Sequence, residues 1–173
     1  MSKLLELTEL IEAWAIDRDL HTADYKKQLI KLGEETGELY AGVAKNNQDL
    51  IIDSIGDAYV VLTILCLQKE FTFKPVVLKA QDSFYKNVQN DKLDPADAAI
   101  DLLSATGRLA TVLEKSTTVN IHLMHIEWFL GALFEVAKSY DFDLTACTEM
   151  AYEEIKDRKG KMINGVFVKE EDL

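Results

Sequence analysis

The stretch Asp49-Leu50-Ile51-Ile52-Asp53-Ser54-Ile55-Gly56-Asp57-Ala58-Tyr59-Val60-Val61-Leu62-Thr63-Ile64-Leu65-Cys66-Leu67-Gln68-Lys69 decides the fold. From Val60 to Leu65 it is apolar almost all round, which by composition alone would suit a buried strand. Buried strands run to roughly 4–8 residues, and this segment continues without a proline from 49 to 69, so a buried helix is the better reading. Two aspartates, Asp53 and Asp57, interrupt it four residues apart, on one helical face.

Working outward, the flanking segments repeat the helical period. Leu4, Leu7, Ile11, Trp14 and Ala15 recur at three- and four-residue spacing, and Leu29, Leu32, Leu39 and Val43 do so within a helix from about Asp24 to Lys45. Lys45-Asn46-Asn47-Gln48 reads as a turn, since asparagine tolerates left-handed backbone. Pro75 fits the first turn of a fourth helix ending near Asn87, and Asn90 to Pro95 is turn-like. Helices at about Pro95–Lys115, Thr118–Tyr140 and Asp143–Lys159 follow, then a tail, Gly160 to Leu173, in which Val166-Phe167-Val168 is extended. The expectation is an all-α bundle of about seven helices.

The chain has 173 residues, 48% of them hydrophobic and 28% charged, enough for one globular unit with its own core. Cys66 and Cys147 lie in apolar runs and read as buried free thiols of a reducing compartment. With 30 acids against 19 bases and a net charge of −11, broad nucleic-acid binding is disfavoured. No apolar run approaches a membrane span, and Glu6 interrupts the N-terminal segment, which argues against a signal peptide. A cytoplasmic location, with neither membrane nor nucleic acid as partner, is expected.

Sliding the sequence by 70 residues lays Lys31–Leu39 over Asp101–Leu109, with Thr36-Gly37 on Thr106-Gly107 and Ile30, Lys45, Ile51 and Lys86 on Ile100, Lys115, Ile121 and Lys156. The reading is an internal duplication: residues 1–92 form one repeat and 93–173 a degenerate second, packed as one unit. The acids are lost selectively, because Glu35, Glu38 and Asp53 align with Ala105, Arg108 and Leu123, and only Asp57 aligns with another acid, Glu127. A copied module that kept one site and let the other decay would read this way.

Glu34-Glu35-Thr36-Gly37-Glu38 places Glu35 and Glu38 on one helical face. Brought against Asp53 and Asp57 by a helical hairpin, they would form a carboxylate cluster whose mutual repulsion a divalent metal relieves, and all-oxygen ligation favours Mg²⁺ or Mn²⁺ over zinc. Glutamates on a helix are ordinarily a solvated face. Against that, the two aspartates sit in the most apolar helix, where an uncompensated charge is costly. Gly37 and Gly56 beside the acids suggest close backbone approach. A di-iron site wants Glu-x-x-His pairs, and no acid stands three residues before His21, His122 or His125. His122 and His125 read as a helix face.

Glu34-Glu35-x-x-Glu38 followed by Asp53-x-x-x-Asp57 resembles the metal motif of the MazG-like all-α nucleoside triphosphate pyrophosphohydrolases, a superfamily that includes the dimeric dUTPases. The resemblance extends to Trp14-Ala15-x-Asp17-Arg18, Lys31-Leu32, Lys156-Asp157-Arg158-Lys159-Gly160-Lys161 and the tail Asn164-Gly165-Val166-Phe167-Val168-Lys169, which is similar to the ends of phage-type members. One departure stands out: the family's second element is Glu-x-x-Asp, which would put an acid at Ser54, whereas here it is Asp53.

The resemblance implies a Mg²⁺-dependent enzyme, with Mn²⁺ as a possible substitute, that converts a (deoxy)nucleoside triphosphate to the monophosphate and pyrophosphate. Glu35, Glu38, Asp53 and Asp57 would hold the metal, and Glu34 would accept the proton of the attacking water. Lys156, Arg158, Lys159 and Lys161, with Lys86 a weaker candidate, would bind phosphates; Trp14 and Gln28 are the candidates for base recognition. It further implies that the second repeat acts as a built-in partner, making the chain a pseudo-dimer, with a homodimer of such chains possible. A dUTPase-like or other pyrimidine-specific enzyme and a non-catalytic helical interaction module are the alternatives.

Overall fold

The computed structural model describes residues 2–87, 92–163 and 166–170. Among these, seven helices account for almost all regular structure: α1 (Lys3–Asp17), α2 (Tyr25–Lys45), α3 (Gln48–Gln68), α4 (Phe73–Asn87), α5 (Pro95–Lys115), α6 (Val119–Ser139) and α7 (Leu144–Ile155). The protein is all-α, with one small exception. Its tail forms a two-stranded antiparallel hairpin, β1 (Gly160–Ile163) and β2 (Val166–Lys169), which includes the predicted extended segment.

Local chemistry fixes the boundaries. Asp24, Asn47, Asp94 and Asp143 cap α2, α3, α5 and α7 by accepting backbone N–H groups that the first turn leaves unpaired. Asn46 ends α2 in the left-handed region at φ 51°, and the Asn47 N–H closes onto the Gly42 carbonyl at 2.9 Å, so two asparagines make the whole turn into α3. Pro75 lies in the first turn of α4, as expected. The predicted turn at Asn90–Pro95 falls partly outside the described residues.

Helix α3 is the central element. It packs against α1, α2 and α7, and its side chains from Ala58 to Cys66 are buried without interruption. By length and composition it is apolar enough to cross a membrane, contrary to the sequence expectation, and 72% of its most apolar window is buried inside the protein. The α2–α3 hairpin meets the α5–α6 hairpin through α2 and α5, where the Tyr40 and Thr106 hydroxyls lie 3.2 Å apart. Helices begin at residues 25, 48 and 73 and again at 95, 119 and 144. The pattern of buried and exposed positions over 30–39 recurs over 100–109, apart from Thr36, which is buried where Thr106 is only partly so. Cys66 and Cys147 are buried free thiols.

Two details differ from expectation. Helix α7 stops at Ile155 rather than near Lys159. Arg18, reaching across from the end of α1, donates to the Lys156 carbonyl at 3.3 Å and the Arg158 carbonyl at 3.1 Å, pinning the chain into its turn toward the hairpin. Gly56 does permit close approach, since a Cβ there would lie 2.3 Å from the Cys147 carbonyl oxygen of α7 and 2.8 Å from the Ala151 Cβ. Gly37 does not: a Cβ there would meet nothing within 4 Å.

Candidate functional site

A cavity of about 770 Å³ opens where α1, α2, α3, the chain after α7 and β2 converge. The acidic part of its wall is formed by Glu34, Glu35 and Glu38 of α2 and Asp57 of α3, with Asp24 at the start of α2; the apolar part includes Trp14, Leu20, Val60, Val61, Ile64 and Phe167. Lys27, Lys31 and Arg158 bring positive charge to the same space.

Helical geometry explains the acidic wall. Glu34 and Glu38 are exposed and one turn apart, while Glu35 turns toward α3, leaving its side chain 5% accessible. A buried carboxylate needs a cation, and Lys31, one turn earlier, supplies it: its ammonium lies 2.6 Å from Glu35 Oε1 and 3.3 Å from Glu34 Oε2. Burial raises the Glu35 carboxyl above the ordinary range; Lys31 pulls it back, and Glu38 and Glu34 push it up again. Burial lowers the Lys31 ammonium, but Glu35 and Glu34 outweigh it and leave the lysine above its usual value.

Asp57 is the most perturbed carboxylate of the site. Burial, then repulsion from Glu35, Asp53 and Glu154, pushes it up to about 7, with Lys31 opposing. Glu154 on α7 was not singled out from the sequence, because only the tertiary packing of α7 on α3 brings it near. The motif assigns Lys31 no role, although its spacing of four from Glu35 is a readable signal of an ion pair.

The other candidates separate. Asp53 is exposed and does not line the cavity, though its charge reaches Asp57. Ser54, where the family pattern would put an acid, is buried with its hydroxyl unpartnered. Gln28 lines the cavity and donates from Nε2 to the Val61 carbonyl at 3.2 Å. Trp14 also lines it, with the Arg18 guanidinium 4.8 Å from its ring centroid and the Phe167 ring 6.1 Å away. Its indole Nε1 is buried without a partner, as is Oε1 of Gln68 on the same wall, a residue the sequence did not point to.

Of the basic residues, Arg158 lines the cavity and also a second hollow of about 500 Å³ that it shares with Lys159, Lys161, Asp17 and Arg18. Lys156 pairs with Glu153 at 2.5 Å, and Lys86 with Asp82 at 2.6 Å on α4; neither lines these cavities. His122 and His125 are buried on α6, with His122 Nε2 between the Val112 and Ser116 carbonyls at 3.1 and 2.9 Å.

Asp24, Glu34, Glu35, Glu38 and Asp57 put carboxylates on the lining, the chemistry that suits a hard divalent cation. A cation already stands among them in the Lys31 ammonium. Among the described residues, no three His, Cys, Asp or Glu side chains gather closely enough to hold a metal ion as they stand. The donor set fits such an ion in kind, with its members spread around an ammonium.

No family model matches the sequence. An uncharacterized 18.2 kDa protein from the rep-hol intergenic region of Haemophilus phage HP1 (strain HP1c1) is 54% identical to this chain over 69 residues, 39% of the chain. The chain spans 42% of that relative's length. No solved structure matches.

Proposed function

We propose that this protein is a Mg²⁺-dependent nucleotide pyrophosphohydrolase of the MazG-like kind, acting on a (deoxy)nucleoside triphosphate in pool control or house-cleaning. The single observation that carries the reading is the composite cavity. Five carboxylates, an apolar surface and three basic side chains line one space of about 770 Å³, within the range of small-molecule and cofactor pockets.

Glu35, Glu38 and Asp57 are the residues that would hold the metal, with Asp53 able to join from its position one turn from Asp57. A divalent cation bound there supplies charge neutralisation for the triphosphate and makes water a better nucleophile at neutral pH. The chain's own groups do the rest. Glu34, exposed and on the cavity wall, takes the proton of the attacking water. The water oxygen forms a bond to phosphorus at the α–β link, the bridging P–O bond breaks, and its electron pair leaves with pyrophosphate. Lys27 and Arg158 counter the phosphate charge. The apolar wall receives the base. The duplicated architecture is part of the same proposal: α5 and α6 stand to α2 and α3 as a partner subunit would, and keep an acid, Glu127, at only one of the four aligned positions.

The test is pyrophosphate release from a panel of ribo- and deoxynucleoside triphosphates, with Mg²⁺ and with chelator, beside Glu38→Gln. Release that needs metal and is lost in a folded Glu38→Gln protein supports the enzyme, and the panel names the base. No release from any nucleotide favours the interaction module. That reading draws on the apolar surface of α5 and α6, where Ile100, Leu103, Met124 and Trp128 are all exposed.

A further inference from the structure

The Lys31 ammonium is the cation nearest the acidic wall, and its position is specific. It bridges an exposed carboxylate, Glu34 at 3.3 Å, and a buried one, Glu35 at 2.6 Å, while its own side chain remains 46% accessible. Glu35 therefore leans on a partner that can leave toward solvent without unfolding anything. Around this one ammonium stand Glu34, Glu35, Glu38 and Asp57 on the cavity wall, with Asp53 and Glu154 close enough to act on Asp57. Lys27 and Arg158 add positive charge on the same lining, yet the carboxylates still outnumber the cations, and the remaining negative excess attracts a further, more highly charged cation. A magnesium ion takes carboxylate oxygens at about 2.0–2.1 Å, and a dication that close to Glu35, even on Oε2, repels the ammonium held at Oε1.

From this geometry we propose that Lys31 is an exchangeable counter-cation of the carboxylate cluster, holding Glu34 and Glu35 until a divalent metal displaces it. The inference rests on the metal reading given above and adds a positioning residue that the motif did not assign. In the exchange no covalent bond changes. Lys31 breaks two ion pairs and swings into solvent or the open cavity, and Glu34 and Glu35 change cations. Lys31 thus has two opposed effects. It stabilises the protein when no metal is bound, and it weakens metal binding, because the metal must first break the Lys31–Glu35 pair.

The experiment is isothermal titration of the full chain with Mg²⁺ and with Mn²⁺ at pH 7.5 and low salt, for wild type, Lys31→Met and Lys31→Arg, together with thermal unfolding of each in chelator. Lys31→Met is expected to bind either metal about tenfold more tightly than wild type while melting lower in chelator, since a tenfold change needs only ~1.4 kcal/mol. Lys31→Arg, which keeps the competing charge, is expected to stay near wild type in both. A Lys31→Met protein that melts lower but binds metal with unchanged or weaker affinity overturns the exchange and leaves Lys31 a structural ion pair. Circular dichroism establishes that the variant is folded, and Lys31→Gln repeats the test if Lys31→Met is not. Absence of metal binding by wild type itself is a different result: it sinks the metal reading, and the exchange with it.

Discussion

Replacing Asp57 by asparagine removes a charge but almost no volume, and the structure fixes both the sign and the scale of the effect. Burial and the neighbouring acids push Asp57 up from the ordinary 3.8 to about 7. The folded protein therefore holds this proton more tightly than the unfolded chain. Between those two values the native state binds more protons than the unfolded state, so the contribution of Asp57 to stability falls as pH rises and levels off above about 7. A gap of roughly 3 pH units at about 1.4 kcal/mol each sets a ceiling of ~4 kcal/mol. Because Asp57 lies on an open cavity wall, solvent screening reduces that to about 2 kcal/mol. At 2–4 °C per kcal/mol for a chain of this length, Asp57→Asn should raise the melting temperature by about 4–8 °C at pH 8 in chelator. The advantage should shrink steadily toward pH 4, where wild-type Asp57 is already neutral. With saturating Mg²⁺ at pH 8 the order should reverse, since wild type gains the binding free energy of an ion that the variant holds poorly. Thermal unfolding at four or five pH values measures all of this. A melting-temperature difference that is the same at pH 4 and pH 8, or a variant less stable than wild type at pH 8 in chelator, would refute the reasoning.

Other consequences are independent of metal. Gly56→Ala should cost about 3 kcal/mol or more in urea unfolding, because its methyl group would collide with the α7 backbone at Cys147. Gly37→Ala, with open space around it in mid-helix, should instead stabilise by roughly 0.5–1 kcal/mol. Removing the Arg18 side chain should cost about 2 kcal/mol, because its two hydrogen bonds to the 156–158 backbone come from a charged donor. The release of the hairpin from α1 should appear as faster tryptic cleavage at Lys156, Arg158 and Lys159 in Arg18→Ala.

The fold was legible because its most apolar segment was too long for a strand and because caps and turns stood at the helix ends. Asn46 and Asn47, Asp94 before Pro95, and Asp143 each do locally what their side chains do in isolation. The end of α7 was not legible, because nothing between Glu153 and Lys159 breaks a helix. Arg18, far away in sequence, turns the chain there by taking its carbonyls. The same division holds in the site. That Glu35 and Glu38 look toward one space follows from helical spacing, and the cavity shows both on its wall. Spacing also made Asp53 equivalent to Asp57, yet a rotation of some 40° around α3 leaves one exposed and the other on the cavity. Glycine carries no marker of its environment, so Gly37 and Gly56 read alike although only Gly56 lies against another helix. The basic run after α7 read as one cluster; once the helix stops at Ile155, Arg158 faces the cavity while Lys156 folds back on Glu153.

The central claim is most directly tested by ³¹P nuclear magnetic resonance of a deoxynucleoside triphosphate incubated with the protein. With Mg²⁺ the account predicts nucleoside monophosphate and pyrophosphate appearing together in equal amounts, with no diphosphate, and neither product with chelator or with Glu38→Gln. A spectrum in which every nucleoside triphosphate stays intact, or in which diphosphate and orthophosphate appear instead, would contradict it.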